Sequence, residues 1–118
     1  HNNNVKVHKI TCAVHCGQTI NPDIVKTQMS GGIIFGLTQA MKGKISIKDG
    51  EVQETNFHNY ELLRMDETPE IEVHIIPSSD APTGAGEPAV PVVAPAIANA
   101  IFAATGKRLR SLPLKLNG

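Results

Sequence analysis

The chain predicts an α+β fold in which strand, helix, hairpin, strand and helix follow one another in that order. Three observations carry this expectation. Residues 5–14 and 71–76 are rich in Val and Ile and read as strands. Asn21-Pro22-Asp23 is a helix start that opens a long apolar-periodic stretch, and Gly106 closes a second one. At 118 residues the chain has the length of one short domain, and a 41% hydrophobic content excludes a disordered polypeptide. Eleven Lys and Arg balance eleven Asp and Glu, which argues against a nucleic-acid-binding surface and against an acidic interaction tail. No run of about eighteen apolar residues is present, so no membrane span is expected. With three Phe, one Tyr and no Trp, the apolar mass is Ile, Val, Ala and Leu. Such a core is marginal for a free-standing domain or is completed by neighbouring structure, and a fragment of a longer chain is expected.

Residues 1–4 are polar and carry neither an initiator Met nor a signal pattern; they are expected to be an unordered or cloning-derived start, with residues 5–118 forming the domain. The first strand ends near Cys16-Gly17. Four residues of strand span roughly 13 Å, whereas a disulfide needs Cα atoms within about 7 Å. Cys12 and Cys16 are therefore expected to be unbridged core thiols on one face with His8, Ile10 and Val14, rather than metal ligands with His8 and His15. His58 and His74 have no ligand spacing, and no metal ligand is expected in this chain. The first helix should run to about Met41, with Ile24, Val25, Met29, Ile33, Leu37 and Met41 at core spacing. Residues 44–47 and 51–55 flank the turn Lys48-Asp49-Gly50 as a hairpin. A strand over 71–76 ends at Pro77. The last helix falls at about 91–105, and Pro95 predicts an irregular first turn or a late start, because its ring removes a backbone donor.

Local rules are broken in three places. Gly31, Gly32 and Gly36 lie inside the first helix at a cost on the order of 3 kcal/mol relative to Ala. Gln28, Gly32 and Gly36 share one helical stripe, which admits either a ligand or a closely packed second helix. Residues 80–88 form a glycine-containing loop feeding the last helix. There Glu87 stands among Ala, Val and Pro, either as a partly desolvated general base or as an exposed carboxylate complementing the helix dipole. A phosphate site at this loop is disfavoured, since no Gly-Lys-Ser/Thr follows and the carboxylate would repel the ligand. Residues 56–65 hold two of the four aromatics without a clean period, as a loop packed on a partner or as a plug of the domain's own core.

Taken together, these segments resemble the C-terminal part of the molybdopterin-binding (beta) subunit of the xanthine dehydrogenase/aldehyde oxidase family, most nearly the isoquinoline 1-oxidoreductase type. The residues that carry the resemblance are Cys16-Gly17-Gln18-Thr19-Ile20-Asn21-Pro22 and Gln28-Met29-Ser30-Gly31-Gly32-Ile33-Ile34-Phe35-Gly36-Leu37. They continue with Asn56-Phe57-His58-Asn59-Tyr60, Leu63-Arg64-Met65, and Gly84-Ala85-Gly86-Glu87-Pro88 with Pro91 and Pro95. The resemblance implies two helices packed on one face of a mainly antiparallel sheet, a fragment of a larger molybdenum-cofactor-binding domain. It implies a molybdenum hydroxylase that oxidises an N-heteroaromatic or aldehyde carbon with water as the oxygen source. Glu87 is then the catalytic base, Gln28 hydrogen-bonds the pterin, and Gly86 lets it approach. The cofactor is a molybdenum–pterin, expected in its cytosine dinucleotide form in the full-length protein and absent from the isolated fragment, which should be inactive. Implied partners are the rest of the subunit, a small iron–sulfur subunit that receives the electrons, and a small-molecule substrate. Export by a twin-arginine signal, common on such subunits, would place the parent in the periplasm; otherwise it is cytoplasmic. The competing reading is a non-catalytic interaction domain that docks a partner through its glycine-rich helix and aromatic loop.

Overall fold

The computed structural model describes residues 4–55 and 60–116. Residues 1–3 of the expected unordered start, and Phe57 and His58 of the aromatic loop, lie outside the described residues. In chain order the elements are β1 (Lys9–Val14), α1 (Pro22–Met41), β2 (Ile47–Lys48), β3 (Glu51–Val52), a 3-10 turn (Met65–Glu67), β4 (Glu70–Ile75) and α2 (Val90–Thr105). No helix among the described residues is long and apolar enough to cross a membrane.

Asn21 caps α1 as its sequence requires: the residue is extended, its side chain accepts the Ile24 N–H at 3.3 Å, and Pro22 takes the first helical position. At the far end the N–H groups of Lys42 and Gly43 both donate to Thr38 O at 2.9 Å. Lys42 Nζ then reaches Glu67 Oε1 at 2.6 Å, fastening the 3-10 turn to the end of α1 and holding the Glu67 carboxyl below its ordinary range. The hairpin turns through Asp49 (φ 53°) and Gly50 (φ 82°), the left-handed pair of a two-residue turn. Its ladder is shorter than expected, with Ile47 opposite Val52 and Lys48 opposite Glu51.

The main strand pair departs from the antiparallel expectation. β1 and β4 run parallel in a six-residue register from Lys9↔Glu70 to Val14↔Ile75, and only the two-residue hairpin is antiparallel. The reason is the connection: α1 lies between the two strands in sequence and packs against β4, so the chain returns in the same direction. Ile10, Cys12 and Val14 turn inward with Ile71, Val73 and Ile75. On the outer face Lys9 Nζ lies 2.8 Å from Glu72 Oε2, and His74 bonds the other Glu72 oxygen. Lys9, helped by His74, holds the Glu72 carboxyl low, and Glu72 raises Lys9 in return. Both cysteines are free, and burial pushes the Cys12 thiol up.

The second helix also departs from expectation. α2 is continuous from Val90 with Pro95 inside it, neither irregular nor late. The bond lost at Pro95 would have gone to the carbonyl of Pro91, and both prolines are exposed, on the solvent side of the helix where the loss costs least. Gly106 (φ 75°) ends the helix, donating to Phe102 O at 2.7 Å. α2 packs against α1 and faces β1 across an open groove of about 590 Å³.

Met29, Ile33, Leu37 and Ala40 of α1 meet Val93, Ile97 and Ile101 of α2, with Val14, Cys16, Ala89 and Leu114 completing the core. Ile24, placed at core spacing, is exposed because the α1–α2 contact begins a turn further on. The glycine stripe is what brings the helices together. A Cβ at Gly36 would lie 2.7 Å from Val90 O and 2.9 Å from Val93 Cγ2, and one at Gly32 would lie 3.0 Å from Ala89 Cβ. Gly31, on the outer side, meets nothing within 4 Å. Gly31→Ala is therefore expected to raise stability by about 1 kcal/mol, the helix-propensity difference. Gly36→Ala should lower it by about 1–3 kcal/mol, overpacking outweighing the same gain. Urea melts of the two variants side by side check this, and equal stabilities would mean a loose seam.

The molecule is open for its size. It exposes 8368 Å², against about 6,200 Å² for a compact monomer of 12.6 kDa. Its radius of gyration is 16.4 Å, against about 13.5 Å for a compact chain of this length.

Candidate functional site

The site is assembled at the end of the α1–α2 seam where both helices begin. After β1 the chain passes through Cys16, Gly17 and Gln18, which pair with the segment leading to the glycine loop. Gln18 N donates to Asp80 O at 2.8 Å and Thr83 N donates to Cys16 O at 2.9 Å. Gly17 adopts φ +77°, and a Cβ there would stand 2.2 Å from Ala81 O, so no other residue fits without moving that carbonyl. From this junction the loop runs through Gly84, Ala85 and Gly86 to Glu87, whose carbonyl accepts the Val90 N–H at 3.1 Å as α2 begins. Ala89 is buried over Gly32.

Gln28 lies one helical turn, about 5.4 Å, before Gly32 on the same stripe. Its side chain is exposed at the seam end where the Gly86-Glu87 loop enters α2. The structure thus brings Gln28, Gly86 and Glu87 to one end of the helix pair. Glu87 is exposed among the described residues, which matches the exposed-carboxylate alternative and not the partly desolvated one. Ala89 turns into the seam and Pro88 lies open, so neither wraps the carboxylate. The Gly32–Gly36 groove is filled by α2, leaving no room there for a ligand, and Gly32 and Gly36 are accounted for by helix packing.

Two large grooves lie away from these residues. One, about 650 Å³, is lined by residues that include Leu37, Met41, Leu63 and Leu114 near the C-terminal end of α1. The other is the 590 Å³ groove between β1 and α2. Neither is lined by Gln28, Gly86 or Glu87; the ionisable groups on the first include Lys42 and Glu67, which are paired with each other. Among the described residues no three His, Cys, Asp or Glu side chains come together as a metal site.

The chain belongs to a cofactor-binding class. Residues 2–69 match the family model of the molybdopterin cofactor-binding domain, and the chain belongs to that family. It is similar to the beta chain of isoquinoline 1-oxidoreductase from Brevundimonas diminuta, 42% identical over 113 residues that cover 96% of this chain and 14% of that protein. It is also similar to the large subunit of nicotine 6-hydroxylase from Paenarthrobacter nicotinovorans, at 31% identity over 70% of this chain and 10% of that protein. Quinoline 2-oxidoreductase from Pseudomonas putida 86 shares the fold, with a TM-score of 0.83 over 95% of this chain and 15% of that one, at 22% identity. The chain thus spans about a seventh of the length of the first of these relatives.

The exposed residues fit the edge of such a cofactor. Gly84 and Gly86 have nothing within 4 Å of a Cβ position, so the main chain is open to close approach. The exposed Gln28 amide offers two donors and an acceptor. The role of Gly17 is missed by sequence spacing: a glycine after a strand reads as an ordinary turn, and its contact becomes visible only with Ala81 O in place.

Proposed function

We propose that this chain is the part of a molybdenum hydroxylase that presents a general base and a pterin-binding amide to the cofactor. The observation that carries this reading is the delivery of Gln28, Gly86 and Glu87 to one open end of the α1–α2 seam in a chain of the molybdopterin cofactor-binding family. When bound, the molybdenum–pterin, taken in its cytosine dinucleotide form, supplies the redox centre and activates water. Gln28 would hydrogen-bond the pterin through its amide, and Gly86 would keep a side chain out of its approach. Glu87 would take the proton from water as its oxygen joins the N-heteroaromatic or aldehyde carbon, and the hydrogen displaced from that carbon would leave with its electron pair to the redox centre. The two electrons released pass to iron–sulfur centres on a small partner subunit. The isolated chain offers too few contacts to keep the cofactor.

The interaction-domain reading is weakened by the same geometry, because Gly32 and Gly36 are covered by α2 and are not free to dock a partner. The test uses the full-length protein in ¹⁸O-labelled water, with isoquinoline and benzaldehyde as probes and an artificial electron acceptor. One label per product molecule is expected; oxygen drawn from O₂ would overturn the reading. Gln28→Ala should lower molybdenum content, since a lost hydrogen bond of this kind is worth about 1–3 kcal/mol, roughly 5- to 150-fold in affinity. Turnover in the loaded fraction should survive.

A further inference from the structure

We infer that Gly17 is a positioning residue for the loop that carries Gly86 and Glu87, an inference that rests on the proposed role of that loop. The loop is held at two ends. At one, Gln18 N and Thr83 N bond across to Asp80 O and Cys16 O at 2.8 and 2.9 Å, with Gly17 pressed on Ala81 O between them. At the other, Val90 N bonds Glu87 O. Of the three residues between, Gly84 and Gly86 have no side chain and open space around them, and only Ala85 packs toward the core. The path of Gly86 and Glu87 is therefore set mainly by the two anchors. A Cβ at Gly17, 2.2 Å from Ala81 O, meets backbone rather than a yielding side chain. Restoring ordinary contact displaces the first anchor by about 1 Å, a shift that costs on the order of 10²-fold when it reaches a reacting group.

Gly106 supplies the control. It has nearly the same left-handed backbone (φ +75°) but nothing within 4 Å of a Cβ, so Gly106→Ala carries the conformational strain without the push on a loop. The experiment compares Gly17→Ala, Gly106→Ala and Thr83→Pro in the full-length enzyme, reading hydrogen exchange over residues 81–86, molybdenum content, kcat and KM. Gly17→Ala is expected to speed exchange over 81–86 and to lower kcat per molybdenum by about 10- to 100-fold, with KM changed little. Gly106→Ala should do neither. Thr83→Pro, which removes the donor to Cys16 O and leaves Gly17 intact, should shift exchange and kcat in the same direction by less, and it carries the test if Gly17→Ala does not fold. Unchanged exchange in Gly17→Ala, or an equal loss of kcat in Gly106→Ala, overturns the inference. Full turnover in Glu87→Gln, by contrast, would sink the base assignment while the exchange data still decide whether Gly17 holds the loop.

Discussion

Glu87→Gln in the full-length protein is expected to cut turnover per bound molybdenum by about 10²–10⁴-fold while the molybdenum stays in place. The amide keeps the size and shape of the carboxylate and removes only its capacity to accept a proton. The groups proposed to touch the cofactor, Gln28 and the main chain at Gly86, are left as they were. The main chain of Glu87 is fixed by its bond from Val90 N, so the substitution does not disturb the start of α2. The side chain is exposed among the described residues, so the substitution disturbs no packing there. Turnover per molybdenum, measured beside metal content, separates lost chemistry from lost cofactor. Near-normal turnover would leave the chain with the family's fold and without this mechanism.

Leu37→Ala should cost about 2–5 kcal/mol of stability, toward the upper end. Leu37 is 1% exposed and follows Gly36, where the two helices are closest. Backbone held at that distance cannot collapse into the space a lost isobutyl group leaves, so a cavity persists. Domains are stable by only about 5–15 kcal/mol in total, and the fully buried core here is small, so the variant is expected to be partly unfolded at 37 °C. Denaturant midpoints measure the loss. A change below about 1 kcal/mol would show that the seam relaxes freely.

Residues with local consequences were legible from sequence. Asn21, Pro22 and Gly106 set the helix ends, and Asp49-Gly50 sets the turn, because each acts on the backbone within a few residues of itself. Gln28 and Glu87 could be singled out by type and position, and their shared location follows from the seam. Strand direction could not be read, because Lys9 and Glu70 meet only after the chain has passed through α1 and the hairpin. Nor could the job of the glycines: a bare stripe is the same whether a ligand or Val90 and Val93 lie upon it. Whether Glu87 is desolvated or exposed stayed open at the level of sequence, since apolar neighbours in sequence can turn their side chains elsewhere, as Ala89 does.

The openness of the molecule bears on how its specificity could change. The surplus surface is roughly 2,000 Å², more than twice what one partner contributes to a standard protein–protein interface, about 800 Å². Ile20, Ile24 and Phe35, on or beside the face that carries Gln28, are part of it. A single docking contact of ordinary size would leave most of it wet; covering it takes polypeptide on more than one side. Those covering walls, not this chain, would then enclose a substrate beside Glu87. On the proposed roles of Glu87, Gln28 and the loop anchors, substitutions that retune the accepted substrate should accumulate in the covering segments, while these residues drift little.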